Sequence, residues 1–73
     1  MDKILALKIS NNIKKLRTNK NISQENLAHN IDIDRKYASI IEKGKTKISV
    51  EVLNKVCVGL DISLSEFFIQ IGE

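Results

Sequence analysis

Proline is absent from this 73-residue chain, cysteine and histidine occur once each, and glycine occurs three times. Without proline, no helix is kinked or broken by a proline ring. One cysteine cannot close an intramolecular disulfide. A single His, a single Cys and no carboxylate pair at helical spacing beside metal-ligand partners leave little to do chemistry with, so no enzyme, metal site or cofactor is expected. No apolar run approaches the roughly 20 residues of a membrane span, and Met1-Asp2-Lys3-Ile4 lacks the apolar core of a signal peptide. A soluble cytoplasmic protein is the expectation. Internal repeats and low-complexity segments are also missing, and no stretch alternates with the period of two that marks a strand.

What remains is a chain 42% apolar and 29% charged, the balance of a globular protein rather than a disordered one. Its length fits one domain, residues 1–73, that buries only about 60% of its unfolded surface, so help from a second subunit is plausible. The net charge of +3 is unevenly spread. Residues 1–47 carry 11 Lys and Arg against 5 Asp and Glu, and residues 48–73 carry 1 against 4. The first part is basic enough to face phosphate, although such a run can also be a solvated face.

Apolar residues Ala6, Ile9, Ile13 and Leu16 recur at intervals of three and four, which predicts an amphipathic helix from about Lys3 to Thr18. Lys8, Asn11, Lys14 and Lys15 fall on its other side. Ser23 is an N-cap for a second helix, with Ile22 and Leu27 placed as a hydrophobic staple and Leu27, Ala28 and Ile31 as the core face. Asp34 caps a third helix that opens with Arg35, Lys36 and Tyr37, turns Ala38 and Ile41 inward, and stops at Gly44. After the polar Lys45-Thr46-Lys47, Ser49 caps a fourth helix with Val50, Leu53, Val56, Cys57 and Leu60 inside; Gly59 should weaken it by about 1 kcal/mol relative to alanine. Asp61 and Ile62 connect to the capping box Ser63-Leu64-Ser65-Glu66, which starts a fifth helix through Phe67, Phe68 and Ile69. The expected fold is all-α, a compact five-helix bundle. Within it, Ser23 to Gly44 reads as two short helices joined by a tight turn, the second of them basic. That is a helix-turn-helix, a device for placing one helix against DNA.

Four segments carry a resemblance: Ile13-Lys14-Lys15-Leu16-Arg17, Ser23-Gln24-Glu25-Asn26-Leu27-Ala28, Tyr37-Ala38-Ser39-Ile40-Ile41-Glu42-Lys43-Gly44 and Leu60-Asp61-Ile62-Ser63-Leu64-Ser65-Glu66-Phe67-Phe68. In this order and spacing they resemble the Cro/C1-type helix-turn-helix regulators, whose fold is that of a lambda-repressor-like DNA-binding domain. The small size and the Asp34-Arg35-Lys36-Tyr37 opening look like restriction-modification controller proteins within that family, and related openings also occur in prophage repressors. Two departures stand out. Asp32 occupies the turn where the family often has glycine, and aspartate enters a left-handed conformation at some cost. The third helix has Ala38 where a larger aliphatic is usual and Ile40 where a polar residue is common, so either the core is repacked or Ile40 meets thymine methyls.

If the third helix enters a major groove, its first turn reaches base edges. Arg35 is the principal candidate for base reading, because its planar fork matches guanine O6 and N7; a phosphate contact or a pair with Asp32 or Asp34 is the alternative. Lys36 could meet base or phosphate, Ser39 could donate or accept one turn later, and Ile40 could contact a methyl. Phosphate candidates are Ser23 and Gln24 at the start of the second helix, the Tyr37 hydroxyl, and Lys43, Lys45, Thr46 and Lys47 beyond the third helix. Tyr37 could equally be a packing residue, and the lysine-rich loop merely solvated. The resemblance implies a structural pair between Arg17 and Glu42. His29 reads as a surface or phosphate-adjacent residue rather than a metal ligand, since ligand partners are absent, and Cys57 as a small buried hydrophobe or, alternatively, a redox switch.

Phe67, Phe68, Ile69 and Ile71 place more apolar bulk at the end of the chain than one short helix can turn inward. Phe68, Ile69 and Ile71 are therefore candidates for a homodimer interface, extra core packing being the alternative. A two-fold dimer would set two recognition helices about 34 Å apart on a palindromic operator. The expected function is sequence-specific regulation of transcription, by repression or by activation with Glu25 as a candidate contact for RNA polymerase. The competing function is an antitoxin or prophage-type repressor whose acidic C-terminal half binds a different protein.

Overall fold

The computed structural model describes residues 2–72 and consists of α1 (Lys3–Asn19), α2 (Gln24–Asn30), α3 (Arg35–Glu42), α4 (Val50–Gly59) and α5 (Leu64–Ile71), with no strand among the described residues. Three of the four connections are built from one short formula: Asn21-Ile22-Ser23, Asp32-Ile33-Asp34 and Asp61-Ile62-Ser63. The first residue of each is left-handed, with φ of 58°, 57° and 56°. The isoleucine N–H then donates to a carbonyl five residues back, Ile22 to Arg17, Ile33 to Ala28 and Ile62 to Cys57, each at 3.0 Å. This is a Schellman closure, formed here on Asn or Asp, the residues other than glycine that tolerate the left-handed region best.

The third residue of each formula starts the next helix. Ser23 Oγ accepts from the Asn26 N–H at 3.0 Å, Asp34 Oδ1 from Lys36 at 2.7 Å, and Ser63 Oγ from Glu66 at 3.0 Å. Ile48-Ser49 repeats the second half of the device before α4, Ser49 Oγ accepting from Val52 at 3.1 Å. Each isoleucine sits just before a cap, the staple position, and packs on the core. Helix end, core contact and helix start are thus compressed into three residues, which fixes how sharply the chain turns.

Phe67, Ile13, Leu60, Val56 and Cys57 are fully buried at the centre, ringed by Ile9, Leu27, Ile31, Ile41, Ile48 and Leu53. Burial raises the Cys57 thiol pKa above its ordinary value, as expected of a packing residue that stays protonated. Helix α1 runs one residue beyond the expected Thr18, and of its anticipated inner face Ile9 and Ile13 are buried while Ala6 and Leu16 are half-buried. Two of its buried residues are polar: Ser10, which donates to the Leu7 carbonyl at 3.1 Å, and Asn12, whose amide donates to Gln70 Oε1 at 3.0 Å and ties α1 to α5.

Two expectations need correction. Val50 lies on the inner bearing of α4 yet is 65% exposed, because the first residue of that helix overhangs the edge of the core. Gly59 is not a defect in α4 but the point where it lies against α2. A Cβ there would stand 2.5 Å from Ile31 Cγ2 and 3.0 Å from Leu27 Cδ1. Gly59→Ala is therefore expected to lower stability by about 1–3 kcal/mol through overpacking, the reverse of the gain of about 1 kcal/mol that helix propensity alone would give. Urea unfolding of the two proteins measures the sign directly.

Candidate nucleic-acid interface

The Arg17 guanidinium grips Glu42 at the end of α3 with two bonds, Nε to Oε2 at 2.7 Å and Nη2 to Oε1 at 3.0 Å. Its remaining arm, Nη1, donates to the Ile22 carbonyl at 2.7 Å, at the entry to α2. The side chains are 11% and 4% exposed, so the pair implied by the resemblance is formed and lies largely out of water. Glu42 Oε1 also accepts from Gln24 Nε2 at 3.2 Å. Sequence reasoning missed this link: Gln24 and Glu42 are 18 positions apart, and only the folded helix-turn-helix brings them together. The result is that Gln24, the second-helix phosphate candidate, is held in a fixed orientation by a buried carboxylate.

Most of the candidate residues around this hub reach solvent. Arg35, Lys36 and Ile40 are exposed on α3 and Ser39 is half-exposed, while Ala38 and Ile41 turn inward. Ile40 is 43% exposed, so its aliphatic bulk lies outside the core. Tyr37 is half-buried against the core cluster. Exposed Ser23 uses one lone pair as the cap of α2, and Lys43, Lys45 and Lys47 are exposed along the segment leaving α3, with Thr46 half-buried among them. Arg35 does not pair with Asp32 or Asp34 as the sequence alternative had it. Its Nη1 lies 3.9 Å from Glu25 Oε2 instead, both side chains about 70% exposed, a loose contact worth little in water.

In α5, Phe67 is buried and meets Phe68 edge to face, with ring centroids 6.1 Å apart. Phe68 and Ile71 are half-buried on the core edge, and Ile69 is 69% exposed. Among the described residues, no helix is long and apolar enough to cross a membrane, and no group of His, Cys, Asp or Glu is placed to hold a metal.

A helix-turn-helix family model matches residues 13–67. The control protein C.MunI from a Mycoplasma species is 46% identical over 68 residues, covering 92% of each chain. Among solved structures, the restriction-modification controller protein C.Esp1396I, crystallised as a tetramer with its natural 35-base-pair operator, superposes with a TM-score of 0.87 at 36% identity, over 92% of this chain and 88% of that one. The chain belongs to the helix-turn-helix family of restriction-modification controller proteins. The clp gene regulator ClgR from Corynebacterium glutamicum has the same fold at 25% identity, with a TM-score of 0.85 over 92% of this chain and 71% of that one.

In this controller protein the Arg17–Glu42 pair ties three elements together, so breaking it should be costly. Removing one member leaves the other charge buried and unpaired, and Glu42→Ala is expected to lose about 3–5 kcal/mol. The double variant Arg17→Met, Glu42→Leu removes both charges and is expected to recover most of that loss. Equilibrium unfolding of the single and double variants is the check.

Proposed function

We propose that this controller protein is a cytoplasmic regulator of transcription that binds double-stranded operator DNA as a homodimer and controls restriction-modification genes, the chain acting as a single helix-turn-helix unit. The observation that carries the reading is the open face of α3, where Arg35, Lys36, Ser39 and Ile40 project together while Ala38 and Ile41 anchor the helix from behind. Eight residues make a helix about 12 Å long, which a major groove admits. The relative C.Esp1396I is described as bound to its operator, which supports the same partner here.

In this reading Arg35 reads a guanine, Lys36 and Ser39 reach neighbouring edges, and Ile40 contacts a thymine methyl. Ser23, Gln24, Tyr37, Lys43, Lys45, Thr46 and Lys47 fix the register on phosphate. Glu25 restrains Arg35 only loosely, so the guanidinium can leave it for a base. The exposed Glu25 carboxylate is then open to RNA polymerase when the operator adjoins a promoter.

The molecule spans 27 × 22 × 20 Å, less than the roughly 34 Å of one DNA turn, so one copy covers one half-site. Ile69, flanked by the partly exposed Phe68 and Ile71, supplies the apolar contact to a second copy. Ile69→Asp is expected to shift sedimentation from dimer to monomer with the fold retained, because the residue is on the surface. Selection of bound sequences from a random DNA pool checks the other half of the reading. Wild type should yield a palindromic consensus, and Arg35→Ala should lose its guanine preference, a discrimination of about 1–3 kcal/mol per contact. An unchanged consensus removes Arg35 from base reading.

A further inference from the structure

The start of α1 shares a cleft with the lysine-rich segment that follows α3. This cleft, of about 330 Å³, is lined by Lys3 and Ala6 on one side and by Gly44, Lys45, Thr46 and Lys47 on the other. The walls are held together at Gly44, which has φ of 68° and approaches α1 so closely that a Cβ there would lie 3.0 Å from Ser10 Oγ and 3.2 Å from Leu7 Cδ2. The chain therefore leaves α3 already clamped to the first turns of α1.

We infer that Lys3 is a phosphate-contacting residue, and that the cleft it forms with Lys45 and Lys47 extends the DNA backbone contact from the helix-turn-helix onto the N-terminal end of α1. Three lysines line one concavity whose lining contains no acid among the described residues. The nearby Asp2 carboxylate is engaged elsewhere, its Oδ1 accepting from the Ile4 N–H at 2.8 Å as the cap of α1. Thr46 Oγ1 sits 3.5 Å from the Lys47 carbonyl, long enough that the hydroxyl can turn to a better acceptor. Like charges brought to one cleft repel one another, and an anion bound there relieves that repulsion. Nothing in the sequence pattern singles out Lys3, which lies 42 positions before Lys45 and outside the helix-turn-helix.

The inference rests on the DNA-binding reading, and a salt titration separates the two. Duplex affinity is measured against salt concentration for wild type, Lys3→Ala, Lys47→Ala and Lys55→Ala, the last on α4 away from the cleft. Lys3 is exposed, and thermal unfolding verifies that its replacement leaves the fold intact. Each lost phosphate contact lowers the slope of log affinity against log salt by about 0.9. Lys3→Ala and Lys47→Ala should each lower the slope by that amount per subunit, Lys55→Ala should leave it unchanged, and Lys3→Arg should restore it. A wild-type slope in Lys3→Ala beside a reduced one in Lys47→Ala overturns the inference and leaves the DNA reading standing. Absence of salt-dependent duplex binding by wild type overturns the reading itself.

Discussion

The carboxylate of Glu42 is 4% exposed, and the geometry of the candidate DNA face is set by what it holds. Taking a carboxylate and a guanidinium out of water costs several kcal/mol for each ion, so the arrangement persists only because the remaining hydrogen-bonding capacity is filled. Here Arg17 supplies two bonds, Gln24 a third, and Arg17 a further one to the Ile22 carbonyl. Those partners belong to α1, to the entry of α2 and to its first residue, while Glu42 itself ends α3. A single buried contact thereby fixes the angle between the two helices of the motif and the scaffold behind them. An apolar pair of similar volume could fill the space, but it could not aim the Gln24 amide.

The joints do the complementary work. Asn21, Asp32 and Asp61 each take the left-handed conformation, and the isoleucine that follows closes one helix and staples the next. In the helix-turn-helix this confines the path between α2 and α3 to four residues, with Ile31 and Ile33 turned to the core and Asp32 and Asp34 to solvent. Gly59 serves the same end from outside the motif, since only a hydrogen at that position lets α4 lie against Ile31 and Leu27. The placement of α3 against α2 therefore depends on residues in all of the first four helices.

Much of this was legible in the sequence, and the parts that were not share a cause. Cap residues and the period of 3.6 placed the start of every helix to within a residue or so, because Ser23, Asp34, Ser49 and Ser63 act on backbone two or three positions away. The exposed side of α3 could be read for the same reason. Contacts between distant positions could not. The bond from Gln24 to Glu42, the bond from Asn12 to Gln70 and the cleft joining Lys3 to Lys47 all require the helices to be assembled first. Gly59 was misjudged because propensity describes an isolated helix, and Val50 because periodicity gives a bearing but not where the core stops. The recurring Asn/Asp-Ile-Ser/Asp formula was visible all along, and its signal is the spacing of a helix-ending residue, an apolar anchor and a cap in adjacent positions.

In the proposed reading, the first three helices and the loop after α3 meet DNA, while α4 and the end of α5 do not. Backbone amide chemical shifts recorded while a cognate duplex is titrated into the protein test that division most directly. The account predicts the largest changes at the start of α2, along residues 35–47 and at Lys3, with Asn54 to Val58 nearly unmoved. Changes concentrated on α4, with α3 silent, would contradict it.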